Sequence, residues 1–120
     1  VKPELVVVDD PARVAAERLA TAVREQAHVA LAGGSTPRAA YEEAATVELD
    51  WSGATLWFGD DRCVPPDHEH SNYGMVKRAL LDRIEGSAPQ VKRIEGELGP
   101  GQAADRYEQE LRESFGEGAP

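Results

Sequence analysis

A chain of 120 residues with 41% hydrophobic content is long enough for one domain with its own core and too short for two. Its 13 basic and 22 acidic side chains leave a net charge of −9, which repels nucleic-acid phosphates and anionic membrane surfaces, so an anionic ligand must be met locally by a loop or a few placed cations. The single cysteine, Cys63, has no internal disulfide partner, no apolar run approaches the ~20 residues that span a bilayer, and no apolar signal segment opens the sequence; a reducing cytoplasm is the expected compartment.

The β-branched run Glu4 to Asp9 predicts a strand, and Asp9-Asp10-Pro11 supplies an N-cap and a first-turn proline for the helix that follows. From about Pro11 to Gln26, Val14, Ala15, Leu19, Ala22 and Val23 recur at helical spacing, with Arg13, Glu17, Arg18 and Glu25 on the wet face. His28 to Ala32 reads as a buried strand ending at Gly33-Gly34, and Ser35-Thr36-Pro37 opens a helix to about Val47. Thr55 to Gly59 is a third apolar strand, and after a proline-containing loop Ser71 caps a helix to about Leu81. Arg83 to Gly99 mixes charges, glycines and Pro89, with only a short possible strand at Val91 to Ile94. The last helix is expected from about Gln102 to Phe115, with Ala104, Tyr107, Leu111 and Phe115 on one face. Strands alternating with crossover helices imply a parallel sheet covered on both faces, an α/β fold of the doubly wound kind, whose ligands bind beyond the carboxyl ends of the strands.

Two motifs fall at such ends. Gly33-Gly34-Ser35-Thr36-Pro37 joins a strand to a helix; glycines bring backbone N–H groups close to a ligand, a helix start favours an anion, and the two hydroxyls can donate to phosphate oxygens. The same residues also suit a tight turn in which a hydroxyl merely caps the helix. Gly59-Asp60-Asp61-Arg62-Cys63-Val64-Pro65 sets two carboxylates beside an arginine whose planar fork matches phosphate. If the backbone there is extended, Asp60 and Arg62 face one way and Asp61 the other. The alternative is a solvated loop with a local ion pair.

His68 and His70 stand two apart among acidic neighbours, but no matching ligands complete a four-fold zinc set, so no metal and no cofactor is expected. Asn72 and Tyr73 read as packing or loop-fixing residues, Trp51 and Trp57 as packing residues, and Cys63 as a buried structural thiol. His28 is given no role.

Taken together, Gly33-Gly34-Ser35-Thr36-Pro37, Asp50-Trp51, Gly59 to Pro66 and Ser71-Asn72-Tyr73 resemble, in order and spacing, the 6-phosphogluconolactonases. Arg93 to Glu97, Ala103-Ala104 and Tyr107-Glu108 extend the resemblance over nearly the whole chain. It implies a Rossmann-like three-layer α/β/α fold on a mostly parallel sheet, incomplete in this chain and shared with glucosamine-6-phosphate deaminases, and hydrolysis of 6-phosphogluconolactone in the pentose phosphate pathway, with a phosphorylated sugar lactone as the partner and no nucleic acid or membrane. Gly33, Gly34, Ser35 and Thr36 are then expected to contact phosphate or substrate, Arg62 to be their cationic partner, and Asp60 to orient sugar hydroxyls or the arginine.

Two departures from the family pattern stand out. Its usual Asp-Glu-Arg is Asp60-Asp61-Arg62 here, and its later Gly-Asp-Gly-His segment, carrying the proposed base, is absent from these residues. None of His28, His68 and His70 matches that histidine. Residues 1–120 are therefore expected to be the amino-terminal part of a single sugar-phosphate-binding domain whose carboxy-terminal half lies elsewhere. The same-fold alternative, a glucosamine-6-phosphate deaminase, prefers tyrosine where Arg62 stands. A non-catalytic sugar-phosphate-binding module is the alternative of another class.

Overall fold

Asp10 caps the first helix by accepting a hydrogen bond from the Arg13 N–H (3.2 Å), and Pro11 opens that helix, where a missing N–H costs nothing. A computed structural model describes residues 9–116, so the strand expected at Glu4 to Asp9 lies essentially outside the described residues. The elements are α1 (Pro11–Arg24), β1 (His28–Leu31), α2 (Ser35–Ala44), β2 (Thr55–Phe58), α3 (Asn72–Ala79), β3 (Gln90–Lys92) and α4 (Pro100–Phe115), with short 3-10 turns at Leu81–Arg83 and Gly96–Leu98. The three strands are parallel in the order β1-β2-β3, with Leu31 opposite Phe58 and Trp57 opposite Lys92. The faint signal near Val91 is a real strand, beginning one residue earlier than expected. This is the expected Rossmann-like α/β arrangement.

Strand alternation sends Leu56 and Phe58 to one face of the sheet, where they join Leu31, Leu19 and Val23 of α1, Ala40, Tyr41 and Ala44 of α2, and Val76 and Ala79 of α3 in one buried cluster. Trp57 points to the opposite face and meets Tyr107 edge-on (5.7 Å between ring centroids) and Phe115 (5.6 Å), so α4 covers that side. His28 completes this group, accepting from the Trp57 indole N–H (2.9 Å) and packing against the Phe115 ring (4.6 Å).

Several expectations need correction. β1 is not buried on both faces: His28 and Ala30 are exposed, because the aromatic row of α4 stands over β2. In α1 the buried alanines are Ala16 and Ala20, while Ala15 is exposed; in α4 Ala103 is buried and Ala104 exposed. The apolar stripe contains adjacent alanines in each case, and the periodicity admits either until the helix docks. Cys63 is exposed rather than buried, since it lies in the irregular loop after β2 and not in the strand that the preceding apolar run occupies.

Two phenols close the carboxyl ends of the strands. Ala32 N–H donates to the Tyr41 hydroxyl (2.8 Å), which donates back to Ala32 C=O (2.7 Å). Phe58 N–H donates likewise to Tyr107 (2.7 Å), whose O–H returns to Phe58 C=O (3.0 Å). Each hydroxyl replaces a neighbouring strand for one residue, which matters because a buried backbone group left unpaired is costly. Burial pushes both phenols above their ordinary pKa, opposed by these same backbone bonds, so both stay protonated and can donate. Tyr107→Phe is expected to destabilise the chain by about 1–3 kcal/mol, because it orphans two polar groups at once. Urea unfolding measures this, with faster exchange of the Phe58 amide; an unchanged midpoint would show that water replaces the phenol.

Candidate functional site

The parallel register brings both motifs to the same edge of the sheet. Leu31 and Phe58 end their strands side by side, and the Gly59 N–H donates to Leu31 C=O (3.1 Å), carrying the ladder one step beyond β2. From there the chain diverges into the glycine turn on one side and the Asp60-Asp61-Arg62 loop on the other. Such a parting above a parallel sheet is where open α/β folds receive ligands.

Gly34 sits at φ +108°, a conformation that side chains rarely adopt, and it is the N-cap of α2 without any side-chain cap bond. The first intrahelical bond at this end runs from Arg38 N–H to Gly34 C=O (3.0 Å). Helix geometry therefore leaves the N–H groups of Ser35 and Thr36 ahead of the hydrogen-bonded ladder, while Pro37 occupies the remaining first-turn position and has no N–H to satisfy. Neither Ser35 nor Thr36 is the N-cap, so the reading in which a hydroxyl merely caps the helix is set aside.

In the second loop the two carboxylates part. Asp61 is half-buried and turns inward, accepting from the backbone N–H groups of Arg62 (2.7 Å), Asn72 (2.7 Å) and Tyr73 (3.2 Å). With Ser71, whose hydroxyl accepts from Gly74 N–H (3.0 Å), it caps α3 and satisfies the helix's free donors. The local ion pair considered for this loop does not form: among the described residues Arg62 has no carboxylate within ion-pair distance.

Arg62 instead lines a cleft of about 270 Å³ together with Gly34, Ser35, Arg38, His70 and Asn72. Asp60 and Arg62 do not share this cleft. Asp60 lies on the adjoining groove with Cys63, Ile94 and Tyr107, and its carboxylate is tied to the cleft by the Asn72 side-chain amide. Asp60 and Arg62 thus open onto different hollows, and simple alternation does not describe the loop, whose bends fall at Gly59 and at Cys63-Val64. Gly33 lies beneath Asn72, and Thr36 is exposed beside the cleft without lining it.

Arg38 was not singled out in the sequence. It lies one turn into α2 and shares an exposed ion pair with Glu42 (3.6 Å), so its spacing resembled ordinary surface pairing and gave no signal. His68 and His70 stack at 5.2 Å, with His68 Nδ1 accepting from the His70 N–H, and no group of three or more metal-binding side chains occurs among the described residues. A larger hollow of about 520 Å³ lies between Ala45, Trp51 and Arg83, at the opposite end of α2 from the glycine turn.

The fold and the cleft together define an open parallel α/β protein in which a glycine-initiated helix start and an arginine without a carboxylate partner among the described residues line one cleft at adjacent strand ends. The family model described as "Glucosamine-6-phosphate isomerases/6-phosphogluconolactonase" matches residues 5–120. The chain belongs to that family. The 6-phosphogluconolactonase of Haemophilus influenzae is 40% identical over 88 residues, covering 70% of this chain and 38% of that protein. The one from a Nostoc species is 38% identical over 101 residues, covering 82% of this chain and 42% of its own length. Among solved structures, the 6-phosphogluconolactonase of Thermotoga maritima superposes with a TM-score of 0.78 at 26% identity, covering 92% of this chain and 54% of that one. A monomeric glucosamine-6-phosphate deaminase shares the fold, with a TM-score of 0.73 at 21% identity, over 88% of this chain and 46% of that one. The chain thus spans about 40% of the length of these curated relatives and about half of the solved chains. No helix among the described residues is long and apolar enough to cross a membrane.

Proposed function

We propose that the protein hydrolyses 6-phosphogluconolactone to 6-phosphogluconate in the pentose phosphate pathway, in the cytoplasm, and that residues 1–120 are the amino-terminal, substrate-binding part of a single sugar-phosphate-binding domain. One observation carries the reading: Arg62, without a carboxylate partner among the described residues, faces the same cleft as the start of α2. Gly34 and Ser35, with Gly33 and Thr36 shaping and flanking the turn, receive the phosphate through backbone N–H groups and hydroxyls, and Arg62 supplies local positive charge in a chain of net charge −9. Arg38 adds a second cation on the same wall. Asp60 orients sugar hydroxyls from the cleft's border.

In the reaction, water adds to the lactone carbonyl carbon, the ring C–O bond breaks, and the proton lost by water reaches the departing ring oxygen or solvent. Anchoring the remote phosphate places the carbonyl for attack, which is how binding energy away from the reacting centre contributes to rate. The base that activates water is assigned to no residue here, because His28, His68 and His70 do not match the family's histidine-bearing segment. No metal or cofactor enters the scheme.

The 120-residue chain is expected to bind 6-phosphogluconate, with inorganic phosphate competing, while leaving lactone hydrolysis at its spontaneous rate; the product of the full open reading frame is expected to accelerate hydrolysis, followed as acid release. Calorimetric titration and a pH-stat measure the two. Failure of the chain to bind 6-phosphogluconate, or tighter binding of glucosamine 6-phosphate, would overturn the assignment.

A further inference from the structure

One side-chain amide touches both loops of the cleft. Asn72 Nδ2 donates to the Asp60 carboxylate (3.2 Å to Oδ1) and to the Asp60 carbonyl (3.3 Å). The other side of the amide lies directly on Gly33: a Cβ built there would collide with Asn72 Oδ1 and Cγ. The root of the side chain is fixed as well, since the Asn72 N–H donates to Asp61 Oδ1 and the preceding Ser71 is buried as the cap of α3. Asn72 is thus held at the start of a helix, with its amide wedged between the glycine turn and Asp60.

From this geometry we infer that Asn72 is a positioning residue, a strut that sets the Asp60 carboxylate at a fixed place relative to the Gly33-Gly34 turn and so aligns the sugar-facing group with the phosphate-facing one. The inference deepens the proposed function and rests on its assignment of Asp60. The residue type follows from the contacts. A neutral donor is needed toward a carboxylate and a carbonyl; aspartate would oppose Asp60 with a second negative charge, and an apolar side chain would leave both oxygens without this donor. Gly33 is a glycine for the same reason, since any larger residue would displace the strut.

The test is a double-mutant cycle in the 120-residue chain with 6-phosphogluconate as the titrant. Asn72→Ala keeps the backbone N–H that bonds Asp61 and keeps Ser71, so α3 remains capped and the variant is expected to fold, as its backbone amide spectrum will show. Asn72→Ala and Asp60→Ala are each expected to weaken binding by about tenfold, and the double variant to be no weaker than the worse single one, whereas Asn72→Ala combined with Arg62→Ala should multiply. Full additivity between Asn72 and Asp60, or unchanged affinity in folded Asn72→Ala, would overturn the inference.

A second measurement needs no ligand. In proton–nitrogen correlation spectra the Asn72 side-chain NH₂ signals should shift in Asp60→Ala, and the Gly33 and Gly34 amides should shift in Asn72→Ala. Absence of both shifts also overturns the strut. If the shifts occur but the parent chain binds no sugar phosphate, the strut stands and the substrate assignment falls. If Arg62→Ala alone binds normally while the Asn72–Asp60 coupling persists, the phosphate role of Arg62 falls and the strut stands.

Discussion

Arg62→Ala is expected to weaken binding of a phosphorylated sugar acid by about 1.5–3 kcal/mol, a loss of roughly tenfold to a hundredfold in Kd. The size follows from what the arginine does and does not touch. It has no carboxylate partner among the described residues, so its removal orphans no buried anion and the fold should be unaffected. It faces the start of α2 across a small cleft, where a fork of N–H donors can meet two oxygens of one phosphate. Arg62→Lys should recover only part of the affinity, since the ammonium keeps the charge and loses the fork. Both differences should shrink as salt is raised, because the guanidinium is exposed. Calorimetry at fixed ionic strength gives the values, and an alanine variant with unchanged affinity would remove Arg62 from the site.

The largest effect on stability is expected at Leu56. It lies in the central strand with no exposed surface, flanked by β1 and β3, and packs in the cluster that ties α1, α2 and α3 to the sheet. Leu56→Ala should cost about 2–5 kcal/mol, the lost transfer energy plus the cavity left behind. Domains of this kind unfold at about 5–15 kcal/mol, so this loss is a large share of the whole. Val91, opposite Leu56 on β3, is only half-buried, and truncating it should cost distinctly less. Urea unfolding of both variants checks the order; a Leu56→Ala loss below about 1 kcal/mol would mean the surrounding helices close over the gap.

The same contrast between local and distant effects explains what was legible before the fold was known. Asp10 and Ser71 as caps, Pro11 and Pro37 in first turns, and the wholly buried β2 all followed from residues within three or four positions of one another. So did the placement of both polar motifs at strand ends. Asp61 was read as part of a charged cluster beside Arg62, yet its acceptors are filled chiefly by α3, and the bond to Asn72 spans 11 positions. A lone cysteine with no visible histidine partner reads as a buried structural thiol, but the loop's path leaves Cys63 exposed.

By itself, the amino-acid sequence determined the order of strands and helices, the caps of α1 and α3, the apolar centre of the sheet and the family to which the chain is similar, because each of these depends on side chains acting within a turn or two of backbone. Only the tertiary structure decided the strand order, the open face of β1, the separation of Asp60 from Arg62, and the contacts of His28, Asn72 and Tyr107. Those contacts join residues as far apart as 29 positions for His28 with Trp57 and 49 for Tyr107 with Phe58. No periodicity or spacing encodes them: a hydroxyl or amide finds its partner only after parallel pairing and helix docking have brought distant segments to the same edge of the sheet.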